Sequence, residues 1–137
     1  MKTIEVTVTR TINGTPDQVF DVWLDTRSPG GPWFGAERVL LNAVVDGVFY
    51  IGMKQGERGR PHYGRFIQLE RGRTIEHTWM SESTHGLETT VTITLTARDG
   101  KTDFVLRHVG LPDDDDGRGH ERGWNWFVSR AEERFTR

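Results

Sequence analysis

The side chains best suited to acid–base chemistry in a sheltered site are two histidines, His77 and His108. Each stands in an alternating run. Ile75, His77 and Trp79 share one side of their segment, and Phe104, Leu106 and His108 share one side of theirs, so both imidazoles turn inward with apolar neighbours. An imidazole in such a place can orient a ligand carbonyl or hydroxyl, or transfer a proton near neutral pH. It can equally do no more than hydrogen-bond a neighbour. Other chemistries lack their parts. A metal site needs three or four converging ligands, which two histidines on separate strands do not supply. Cys is absent, no Gly-x-Ser-x-Gly elbow occurs and no serine is paired with a base. The glycines at 56 and 59 precede no Lys-Ser or Lys-Thr, so they form no phosphate loop. The acidic run 113–116 lacks the spaced ligands and distal Glu of a calcium loop and reads as negative charge at a helix entry. No catalytic residue, metal or cofactor is therefore assigned.

The elements that must position these residues are legible from periodicity. Within residues 116–137, Trp124, Phe127, Val128, Ala131 and Phe135 recur at helical spacing and form one apolar stripe. Arg122, Asn125, Ser129, Glu132 and Glu133 form the opposite side, expected to face water. Ahead of that helix the chain reads mostly as strands. Ile4, Val6 and Val8 alternate with polar residues; Thr15-Pro16-Asp17-Gln18 carries an N-cap, a first-turn proline and a capping-box Gln. Val19, Phe20, Val22, Trp23 and Leu24 give that short helix a buried face, and the Pro-Gly cluster at 28–32 stops it. A strand over 37–42, a turn at Asp46-Gly47 and an alternating strand with Phe49, Ile51 and Met53 follow. Residues 54–61 read as a hairpin loop, 63–70 and 74–80 as strands joined at Arg71-Gly72, and 81–86 as a polar turn. Val91, Ile93 and Leu95 against four threonines give the clearest half-buried strand, and Asp99-Gly100 turns it into the next.

At 137 residues the chain reads as a single domain, 1–137, large enough for a core without disulfides or metal. A formal net charge of −2 with interspersed signs offers no basic field for nucleic acid. The first residues have no signal-peptide run and no window is long enough to span a membrane, so a cytoplasmic protein is expected.

The pieces in order resemble the START-like (SRPBCC) superfamily, and within it the family of homologues of the activator of the heat-shock protein 90 ATPase. The resemblance is carried by Thr15-Pro16 with Val19-Phe20 and Val22-Trp23, by Trp33-Phe34-Gly35, and by Asp46-Gly47 with Phe49 and Ile51. It continues through Tyr63-Gly64, Ile75 with Thr78-Trp79, the stretch from Thr102 through His108 to Gly110, and Gly123-Trp124. It implies an α+β helix-grip fold, a curved antiparallel sheet wrapped around the C-terminal helix, with a hollow between them for a small apolar or aromatic molecule. Alternation assigns Phe49, Ile51, Phe66, His77, Trp79, Phe104, Leu106 and His108 to the sheet side of that hollow, and Trp124, Phe127 and Val128 to the helix side. A ligand-binding or carrier domain is the reading ahead; a cyclase or aromatase-type enzyme using the histidines, and a co-chaperone-like protein-interaction module, are the alternatives.

Overall fold

A computed structural model describes residues 2–26, 32–33, 36–55 and 58–136, apart from the side chains at 54, 55 and 58. The Pro-Gly cluster at 28–31, Phe34-Gly35 and Gly56 lie outside the described residues.

Alternating β-branched and aromatic residues form seven antiparallel strands: β1 Thr3–Ile12, β2 Arg38–Leu41, β3 Val48–Gln55, β4 Arg58–Glu70, β5 Thr74–Ser81, β6 Thr89–Arg98 and β7 Lys101–Pro112. They lie in the order β1-β7-β6-β5-β4-β3-β2. Between β1 and β2 comes α1, Pro16–Leu24, whose Thr15 and Gln18 form the predicted capping box. Its exposed side is tethered to the β4–β5 turn by Arg71, which bonds both Asp17 and Asp21. Gly72 in that turn has φ +77°, and a Cβ there would also run into Asp17, so only glycine fits.

The chain ends in α2, Asp115–Glu133, capped by the Asp114 carboxylate on the Gly117 N–H at 2.9 Å. Trp124, Val128 and Ala131 are buried and Phe127 and Phe135 half-buried, as the stripe predicts. The supposed water-facing side is not uniformly exposed. Asn125 and Glu132 sit beside the edge strand β1, where Arg10 donates to Asn125 Oδ1 at 2.7 Å and approaches Glu132 at 3.9 Å. A second departure is the 54–61 loop. Strand pairing persists through Met53↔Arg60, Lys54↔Gly59 and Gln55↔Arg58, because backbone bonds carry the hairpin beyond the point where side-chain alternation fades.

The core lies between the sheet and the two helices. Register places Val6, His108, Val91, His77 and Phe66 in one cross-strand row, each opposite the next. Gly64 leaves room for the Phe49 ring to lie across β4; a Cβ there would overlap that ring and the Thr78 carbonyl.

Candidate functional site

His108 is buried and both its nitrogens are engaged. The indole N–H of Trp124 donates to Nδ1 at 2.9 Å, so the imidazole proton resides on Nε2. Nε2–H donates to Thr89 Oγ1 at 2.7 Å, and that hydroxyl donates to the Trp79 carbonyl at 2.6 Å. The series runs one way, from α2 through β7 and β6 to β5. Burial, reinforced by His120 and His77 nearby, pushes the His108 pKa down to about 2. This imidazole is a neutral bracket with no nitrogen left to offer a substrate.

His77 donates Nδ1–H to the Thr78 carbonyl at 2.8 Å, and burial pushes its pKa down to about 4. The rings of Phe49, Phe66 and Trp79 surround it at 4.9, 5.8 and 6.1 Å. The space it faces, shared with Ile51, Trp23 and Trp33, has a volume of about 10 Å³, the size of one water. Phe104, Leu106 and Val128 are fully packed. The expected hollow is filled from the helix side by Trp23, Trp33, Trp124 and Phe127, whose rings meet edge-on or tilted.

The usable space lies one layer outward. Trp79 separates the small void from an open groove of about 400 Å³, within the ~300–1,000 Å³ range of ligand pockets. Trp79, Trp124, Phe127 and Met53 give it an apolar floor. One wall is Arg60 and His62 of β4 with Ser83 of the 3-10 turn Glu82–Thr84. The other is the N-terminal half of α2, including Asp115, Asp116, His120 and Arg122. Gly119 and Gly123 line that helix wall one turn apart, and a Cβ on either would meet nothing within 4 Å. Of the eleven residues expected to line a hollow, then, Trp79, Trp124 and Phe127 reach the groove. Phe49, Ile51, Phe66 and His77 stop at the void behind it, and Phe104, Leu106, His108 and Val128 are core.

Arg60, His62, Ser83, Gly119, His120, Arg122 and Gly123 were not singled out by sequence reasoning for this site. Two glycines inside a helical pattern were the available signal, since each costs about 1 kcal/mol relative to Ala. Polar groups in the groove are held in place. Arg60 Nη1 donates to Ser83 Oγ at 3.0 Å. His62 Nδ1–H points at the carbonyls of Arg60 and Ile51, and His120 Nδ1–H at those of Asp116 and Gly117. Burial holds both imidazoles below their ordinary pKa. Two buried donors, Trp79 Nε1–H and Arg60 Nε–H, have no acceptor among the described residues.

Beside the groove, His85, Asp114 and Asp116 bring three potential ligand atoms together at the surface. His85 Nε2 lies 2.7 Å from Asp114, whose hydrogen bond raises the His85 pKa, so a proton can supply the positive charge there.

Residues 13–134 match the family described as activator of Hsp90 ATPase homolog 1-like protein. No curated protein matches the sequence. Among solved structures, a Chromobacterium violaceum protein is similar at TM-score 0.82 and 20% identity, over 97% of each chain. An HSP90 activator from Plasmodium falciparum is similar at TM-score 0.78 and 17% identity, over 95% of this chain and 94% of that one. CalU16 from Micromonospora echinospora is similar at TM-score 0.76 and 16% identity, over 96% of this chain and 76% of that one. At these identities the likeness establishes the fold, a curved seven-stranded antiparallel sheet with a C-terminal helix and a short helix after the first strand. No helix among the described residues is long and apolar enough to cross a membrane.

Proposed function

The chain belongs to the activator of Hsp90 ATPase homolog 1-like family, and from that premise we propose that it binds a small molecule with an aromatic or aliphatic body in the groove between α2 and the β4–β5 end of the sheet. One observation carries the reading: two helix glycines that no contact requires keep about 400 Å³ open above Trp79, Trp124 and Phe127. Interior helix glycines are unfavourable, and Gly119 and Gly123 have neither a positive φ nor a close neighbour to account for them. An open aromatic floor is what their lack of side chains supplies.

A cyclase or aromatase reading would draw its proton transfers from the imidazoles. His108 has both nitrogens committed, and His77 faces a space fit for one water. Binding is the better-supported activity.

Gly123→Leu tests this. The larger side chain enters empty space, so the fold should persist, as checked by thermal melting. Binding of 2-(1-naphthyl)ethanol, read by calorimetry, should fall at least about tenfold, the effect of replacing an apolar contact surface by a blocking side chain. Unchanged affinity would show that the groove is not the binding site.

A further inference from the structure

We propose that the natural ligand of the groove is an organic anion, a carboxylate on an aromatic or aliphatic body, received by Arg60 and Trp79; this rests on the groove reading above. Buried N–H groups in folded proteins are nearly always hydrogen-bonded, and those left over call for an explanation. Here two belong to side chains that line one groove, Arg60 on its wall and Trp79 on its floor. Trp79 is only 2% exposed, fixed between the Trp124 ring at 4.9 Å and the His62 ring at 5.0 Å, and its Nε1–H has no acceptor. Arg60 is held through Nη1 on Ser83, and its buried Nε–H has none either.

Charge separates this arginine from others on the surface. Arg71 pairs with Asp17 and Asp21, Arg107 with Glu5, and Arg118 with Asp113 and Asp115. Arg60 and Arg122, both on the groove, have no carboxylate partner among the described residues. A neutral carbonyl would satisfy an N–H but leave the guanidinium uncompensated, whereas a carboxylate meets both needs. The acids on the opposite wall are engaged elsewhere: Asp115 bonds Arg118 at 2.9 Å, and Asp116 lies 3.9 Å from His85. Both carboxylates are largely exposed, so the buried groups left wanting a partner are donors. The apolar floor takes the ligand's body, and the donors fix which end turns toward β4.

The test compares two probes with the same ring system, 1-naphthylacetate and 2-(1-naphthyl)ethanol, by calorimetry on the full chain near neutral pH. The acid should bind roughly tenfold or more tightly than the alcohol, the usual scale of a charge-assisted hydrogen bond. Arg60→Met should erase that preference, bringing the acid's affinity down to that of the alcohol measured on the same variant, and Arg60→Gln should do the same if Met perturbs folding. Equal binding of the two probes to the natural protein, or a preference that survives both substitutions, would overturn the anion assignment. If the alcohol binds and Gly123→Leu abolishes it, the groove reading stands even when that assignment fails. If neither probe binds the folded protein, both are wrong.

Discussion

Two imidazoles sealed in their neutral forms make this protein sensitive to mild acid. In the unfolded chain each has a pKa near 6.5, whereas the folded values are about 4 for His77 and about 2 for His108. Above pH ~6.5 neither state binds the protons, so their full contribution to stability is present. As pH falls below ~6.5 the unfolded chain takes up a proton on each ring and the native state does not. Stability should therefore drop by roughly 2–3 kcal/mol per pH unit between about pH 6 and pH 4. Below that window His77 drops out of the slope and His108 continues to add to it. His85 acts in the opposite sense, since Asp114 raises its pKa, but it is exposed and screened by solvent. Urea denaturation at pH 7 and pH 5 reads the difference. A free energy that is flat over that interval would mean that the rings accept protons where they lie.

Within α2 the glycines divide into two kinds. A Cβ at Gly117 would overlap the Pro112 carbonyl, so the close approach of the helix start to the end of β7 depends on its absence. Gly119 and Gly123 have open space where a Cβ would go. Gly119→Ala and Gly123→Ala should each stabilise by about 0.5–1 kcal/mol, and Gly117→Ala should destabilise by about 1–3 kcal/mol through overpacking. Chemical denaturation distinguishes the signs; a loss at Gly123 would mean that its bare backbone is needed by the fold rather than by a ligand. The apolar stripe of this helix was readable because its 3.6-residue period is a property of the helix alone. The partners of its other side were not. That Arg10 of an edge strand would meet Asn125 and Glu132 depends on where β1 lies, and no local pattern carries that information.

At the scale of the molecule, alternation assigned side chains to faces correctly, but faces do not determine volumes. Whether a curved sheet and a helix enclose a hollow depends on how far the large rings reach across it. Trp23 and Trp33, read as parts of the short helix and the stretch after it, project into that space and reduce it to about 10 Å³. The groove escaped sequence reasoning because it is formed by residues distant in the chain, Arg60 and Ser83 on one side and Gly119 and Gly123 on the other. The same crowded rings have an optical consequence. Ring centroids of Trp79 and Trp124 are 4.9 Å apart, Trp23 and Trp33 are 5.4 Å apart, and Trp124 lies 6.3 and 6.4 Å from those two. Transition dipoles this close and mutually inclined mix, so four indoles should absorb as one chiral array and give a paired positive and negative band in ultraviolet circular dichroism. Trp126, exposed with Arg130 4.8 Å over its ring, stands outside the array. Trp124→Phe should collapse the paired band and Trp126→Phe should leave it, and because Trp79 and Trp124 are also the groove's floor, a colourless ligand settling there should change the band without any label.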